Sequence, residues 1–255
     1  MPTIKQSLNF NYDGVWSEEY GVVHVVLDSG MYEETLVAPR DINETKVRGN
    51  PKPMLYGVED GTLSFDMTIA FESKYTDDDI DRLIRWLFSN HYKPLYFEGK
   101  EDRVYYCMPT GDSNIVHNGL NEGYITISMR CDSPYVYSQN IITPKETVST
   151  TKTITLQNDG QFTVFPEISL KKSGNGKITI ESLDDSGDIF EITYLANGED
   201  IYLNCEKEII ESDAPGVYRY DKLNGDFPRI NYGTNRFKIT GACTIQFRYK
   251  NIYRF

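Results

Sequence analysis

Apolar and polar residues alternate with a period of two along most of this chain, the pattern of half-buried strands. Leu63, Phe65, Met67, Ile69 and Phe71 hold every second position of the stretch 62–71. The stretch 4–12 alternates in the same way and ends at the turn dipeptide Asp13-Gly14. Residues 21–27 form a compact run rich in β-branched side chains, which favours a strand. Residues 94–97 and 104–108 flank a Glu-Gly-Lys turn and predict a hairpin, and 123–129 predicts one more alternating strand. Only 76–88 breaks the rhythm. There Ile80, Leu83, Ile84 and Leu87 recur at i, i+3, i+4 and i+7, the single apolar face of a helix. Thr76 suits the N-cap, Asp79 stands where a capping-box acid belongs, and Asp77, Asp78 and Asp79 place negative charge in the first turn. A lone amphipathic helix cannot bury its face unaided, so it is expected to lie on a sheet.

Beyond residue 153 the pattern is purely of strands. Apolar runs at 154–156, 166–170, 177–180, 189–194, 235–239 and 243–249 are separated by turn signals, among them Asn158-Asp-Gly160, Asp185-Ser-Gly187 and Asn197-Gly198. Short strands at this spacing predict a sandwich. The polar, Thr-rich stretch 139–152, with Pro144, reads as a linker. The expectation is therefore a mainly β chain with an N-terminal domain over 1–138 and a C-terminal β-sandwich domain over 153–255. Residues 31–61 fit neither pattern. They hold Pro39, Pro51, Pro53, Gly49, Gly57 and Gly61, and read as a long excursion with short strand pieces. A loop of that length is either ordered by a partner or a mobile surface loop, and both readings stand.

Composition narrows the function. At 39% hydrophobic over 255 residues the chain can build a real core, and a formal charge of −12 argues against a nucleic-acid-binding surface, because phosphate would be repelled. No run of 18 apolar residues exists and the first ten residues lack an apolar leader core, so no membrane insertion and synthesis in a cytoplasm are expected. Cys107, Cys131, Cys205 and Cys243 are far apart and form no C-x-x-C pair, which favours buried free thiols over a metal or redox site. His24, His91 and His117 pair by spacing with no nucleophile or carboxylate, and no hydrolase, metalloprotease or phosphate-loop motif is present. No catalytic residue, cofactor or metal is expected. Asp77, Asp78, Asp79 and Asp81 are explained by a helix start, and Asp184, Asp185 and Asp188 form a turn that lacks the spacing of a calcium loop. Tyr218, Tyr220, Phe227 and Tyr232 lie close in sequence and either stack on a sugar or pack a core or interface.

Taken in order, four segments resemble the distal tail protein (Dit) family of long-tailed, non-contractile bacteriophages. They are Phe10-Asn-Tyr-Asp-Gly14 with Trp16-Ser17 and Tyr20-Gly21-Val22; the acid-rich helix with Trp86-Leu87, then Pro94-Leu-Tyr-Phe97 and Tyr105-Tyr106; Asn158-Asp-Gly160 with Phe165-Pro-Glu-Ile168; and Gly225-Asp-Phe-Pro228 with Tyr232-Gly-Thr-Asn235 and the closing strand to Tyr249. The specificity lies in their order and spacing, and 31–61 matches nothing in the family pattern. The resemblance implies a tail-tube-like N-terminal β-sandwich with one α-helix and a galectin-like C-terminal β-sandwich. It also implies a structural virion protein at the tail tip, a homohexameric ring around a channel that DNA crosses without specific binding. That ring would join the tail-tube protein to the tail-tip protein and offer attachment to receptor-binding proteins. Two alternatives remain: a carbohydrate-binding host-recognition module using the second domain's aromatics, and a tail-tube subunit, which would account for the first domain but not the second.

Overall fold

The strands of both units pair antiparallel in the main sheets, the arrangement in which one solvated face gives a clean alternation. The computed structural model describes residues 4–27 and 33–254. It divides the chain into two units, one running to Tyr137 and including Arg254, the other spanning Ser138–Tyr253.

The first unit is built on one seven-stranded sheet. Across it lie Val15–Trp16, Phe10–Tyr12, Lys93–Phe97, Tyr105–His117, Gly123–Cys131, Ser64–Phe71 and Val22–Val25. Its last strand reaches the segment that leads into Phe10–Tyr12, where the His24 N–H donates to the Leu8 carbonyl at 2.7 Å. Residues 4–12 supply less strand than their alternation predicts. Ile4–Gln6 is a single tight turn, and the carbonyls of Ser7 and Leu8 are taken by His24 rather than by a ladder of their own. The Asp13-Gly14 turn joins the first two strands with both residues at positive φ, 56° and 83°, the conformation a two-residue hairpin loop demands.

Asp77–Leu87 is the one α-helix among the described residues. Both halves of its capping box form: the Thr76 hydroxyl accepts from the Asp79 N–H, and the Asp79 carboxylate accepts from the Thr76 N–H at 2.9 Å. Its buried face differs from the expected one. Leu83, Trp86 and Leu87 are buried, whereas Ile84 is exposed. Trp86 is the cause, since it draws the helix onto an aromatic column. Its ring stacks on Tyr20 at 4.3 Å and 3° and on Phe10 at 5.6 Å, and its indole N–H donates to the Tyr12 carbonyl at 3.0 Å. Arg82 caps the column over the outer face of Tyr20.

The second unit is a sandwich of two sheets. One carries Thr151–Asn158, Gly233–Thr240, Gly176–Ser182, Ile189–Leu195 and Leu223–Asn224; the other carries Ile141–Ile142, Glu146–Val148, Cys243–Tyr249, Glu167–Lys172, Asp200–Asn204 and Ile209–Ser212. Inward positions alternate with outward ones along every long strand, and the core is aliphatic apart from a few rings such as the Phe237–Phe247 stack at 5.9 Å. The stretch expected as a linker, 139–152, is built into this unit. Ile141 and Ile142 pair with Tyr249 and Arg248, and Glu146–Val148 pairs with Ile245, Thr244 and Cys243. Thr-rich polar sequence is compatible with edge strands because only one face of such a strand is buried.

The segments that carry the family resemblance are bracing points of the backbone. Asn158 is fully buried; its amide donates to the carbonyls of Phe162 and Ile230, and its carbonyl accepts from the Gly160 N–H. Asn235 repeats the arrangement with Asn231 and Gly233. Gly225 sits at φ 86°, and a Cβ there would lie 1.8 Å from the Ile189 carbonyl oxygen, so no other residue fits.

Candidate assembly surfaces

The largest departure from expectation in the first unit lies in 31–61, of which 31–32 falls outside the described residues. The excursion folds back as a two-stranded ribbon, Arg40–Thr45 against Met54–Asp60, longer and more regular than its sequence suggests. Proline and glycine fall largely in its tip and at an irregularity after Asn43, which is why the alternation is hard to see. Ile42 and Val58 stand opposite each other on one face. Ile42, Leu55 and Tyr56 are 64, 62 and 63% exposed, and Met54 and Val58 are exposed beside them. A two-stranded ribbon is marginal in water on its own, and an apolar one on a surface marks a binding site. Its root is fastened by charge: the Asp60 carboxylate accepts from Arg40 and from Arg254, each at 2.9 Å. Below the root, Ala38 is buried and the Pro39 carbonyl accepts from the Gly61 N–H at 2.7 Å. The ribbon is thus a projection from a fixed base.

In the second unit the surface of interest is a loop held by a buried ion pair. Glu199 and Arg219 are both nearly inaccessible. The Arg219 fork donates to both carboxylate oxygens, Ser212 and the Ala196 N–H also donate to Glu199, and Arg219 donates on to the Tyr194 carbonyl at 3.2 Å. Desolvation alone would raise the Glu199 carboxyl, but these donors and the Arg219 charge outweigh it and hold it below the usual carboxylate range. The pair fixes a rim on which Tyr194 and Tyr218 stand exposed, with Tyr218 and Tyr220 rings 5.4 Å apart and Lys222 over the Tyr194 ring. Tyr194 is 77% exposed and holds φ 58°, an uncommon backbone for a bulky residue. Sequence reasoning missed Tyr194, Glu199 and Arg219; a charged residue destined for burial carries no periodic signal. Of the four aromatics singled out in sequence, Phe227 packs against the core beside Phe190, while Tyr218, Tyr220 and Tyr232 reach the surface.

The remaining candidates resolve into structure. His24 is buried, with Nδ1 at 3.0 Å from the Ser7 carbonyl, and burial lowers its pKa. His91 and His117 are exposed. Asp185 and Asp188 pair with Arg229, and Asp184 pairs with Arg236. Among the described residues, no cluster of His, Cys, Asp and Glu is placed to hold a metal, and no helix is long and apolar enough to cross a membrane. All four cysteines are buried free thiols.

Two family models match the chain. One, described as a phage tail protein N-terminal domain, covers residues 5–133, and the other, a phage tail C-terminal domain, covers 135–249. An uncharacterized protein derived from the SPbeta prophage of Bacillus subtilis (strain 168), YomH, is 31% identical over 251 residues, 98% of this chain and 99% of the relative. Among solved structures, SPP1 Dit, described as a paradigm of hub adsorption apparatus in phages infecting Gram-positive bacteria, superposes with a TM-score of 0.69 at 16% identity, covering 97% of this chain and 99% of that one. A chain of the phage p2 baseplate in its activated conformation with Sr gives a TM-score of 0.51 at 8% identity, covering 96% and 97%. The resemblance to distal tail proteins read from four sequence segments is matched by the phage-tail models and by a shared fold along nearly the whole chain.

Proposed function

We propose, because the chain belongs to the phage tail protein family described by those two models, that it is the distal hub of a tail. In this reading six copies close into a ring around the path of the DNA. The ring joins the last turn of the tail tube to the tail-tip protein, and the second unit is turned outward, where receptor-binding or baseplate proteins attach. It is a structural part of the virion and carries out no chemistry.

The observation that carries this reading is the apolar ribbon Arg40–Asp60. A closed ring needs one surface on each copy that fits a different surface on the next. The ribbon supplies exposed Ile42, Leu55, Tyr56 and Val58 together with two unpaired strand edges, on a root too well fastened to fold back. The fold shared with SPP1 Dit along both chains supports a hub rather than a tube subunit, because a tube subunit has no use for the second unit. The charge of −12 supports a wall that DNA slides past, since like charge repels phosphate.

Light scattering tests the ribbon directly. Residues 41–59 are replaced by Gly-Gly, which keeps Ala38 buried and the Pro39–Gly61 hydrogen bond. The intact protein is expected at the mass of six copies and the variant as a folded monomer. Rings formed by the variant would remove the ribbon from the interface, and extended stacks of the intact protein under the electron microscope would favour the tube subunit.

A further inference from the structure

We propose that Cys107 and Cys131 form a latent cross-strand staple, reduced while the protein is made and closed to a disulfide once the particle is outside the cell. The two residues are direct partners in the register between Tyr105–His117 and Gly123–Cys131. The Asp132 N–H donates to the Tyr106 carbonyl at 2.9 Å, which makes them a non-hydrogen-bonded pair, the closer of the two kinds in an antiparallel ladder. Such pairs hold their Cα atoms ~4.5 Å apart, inside the ~4.4–6.8 Å range that a disulfide spans without backbone movement. As direct partners in the register, the two side chains leave the same face of the sheet. No strand has to shift register for the bond to form. Cys205 and Cys243, buried singly in the second unit, serve as an internal control.

The oxidant is a small-molecule disulfide. A thiolate of the pair attacks one of its sulfurs, giving a mixed disulfide and releasing one small thiol. The second thiolate then attacks the protein sulfur of that mixed disulfide and releases the other small thiol. The protein loses two protons and two electrons, and the reagent gains them. Neither Cys107 nor Cys131 is exposed, and burial disfavours the attacking thiolate. Exchange therefore waits for the strands to open, and the closed bond is shielded from reductants in turn. The device is a slow one-way lock on the middle of the sheet, not a fast sensor.

The cross-link stands on this geometry alone, while its timing rests on the virion reading. The purified full chain is incubated with oxidised glutathione, quenched with iodoacetamide and digested without reduction. The expected result is a fall from four alkylated thiols to two, a peptide joining Cys107 to Cys131, and a rise of several degrees in the unfolding temperature of the first unit. Cys131→Ala abolishes the rise, and Cys205→Ala leaves it. Glutathione adducts without a joined peptide, or a pair still reduced after repeated partial unfolding in oxidant, overturn the staple. If the purified chain closes the bond but released particles hold both thiols reduced, the extracellular timing fails. If the bond closes and the chain is absent from particles, the hub reading fails and the staple stands.

Discussion

The two units use the same antiparallel rhythm to opposite ends. The second is a sandwich whose long strands each hide one face in a shared core. The first bonds one edge of its sheet to the segment before Phe10, packs it with large rings, leans a helix on it through Trp86, and sends out a ribbon whose apolar side chains stand exposed. The second unit leaves single rings such as Tyr194 and Tyr218 exposed on a braced rim, whereas the first leaves a whole apolar ribbon as a remainder. A structural protein whose work is assembly is recognised by that remainder, not by any reactive group.

The contrast can be broken from either side. The largest effect is expected for Trp86→Ala, which empties the space between Tyr20 and Phe10 and takes the indole donor from the Tyr12 carbonyl. It should cost ~4 kcal/mol and lower the first unit's transition in calorimetry while leaving the second unit's in place. Arg219→Ala should do the reverse. It strands the Glu199 carboxylate in a dry site, costs ~3 kcal/mol, and moves only the second transition.

Acid should separate the units more gently. His24 has its folded pKa lowered by burial, so between that value and the unfolded ~6.5 the unfolded chain binds a proton that the folded unit refuses. The first unit therefore keeps its full stability above pH ~6.5 and loses it as pH falls below. Glu199 also has a lowered folded pKa, so its contribution is intact above the ordinary carboxyl value of ~4.3 and is lost only as pH falls below it. Melting curves between pH 7 and 4 should show the first unit softening ahead of the second; simultaneous softening would mean that neither group controls the response. The smallest effect on folding is expected for Ile42→Lys combined with Val58→Glu, within ~0.5 kcal/mol of the parent, because both residues are exposed and the new charges face each other with opposite sign. The same pair should abolish ring mass in light scattering, which separates a surface that folds the chain from one that joins copies.

Much of the fold was legible because it follows local rules. The capping box at Thr76 and Asp79, the Asp13-Gly14 turn and the alternation through Leu63–Phe71 each depend on residues a few positions apart. The helix face was misjudged at Ile84 because which residue is buried depends on what the helix meets, and Trp86 meets Tyr20 and Phe10 from distant sequence. The same limit hid the Glu199–Arg219 pair, whose members are twenty positions apart and look like any surface charges. Residues 139–152 look like a tether because edge strands need only one apolar row. The exposed ribbon is the hardest element to read. Its apolar side chains follow no burial pattern because none of them is buried, so periodicity reports nothing about them.

The meeting of His24 with Leu8 has a consequence for valency. In the first unit's sheet, one margin is shut by that bond and the other is the two-residue strand Val15–Trp16, too short to template a partner. Among the described residues of the first unit, strand-to-strand growth is therefore directed to the ribbon. A subunit with one such address adds neighbours in a fixed direction, and the rotation between neighbours alone then decides between a closed circle and an open helix.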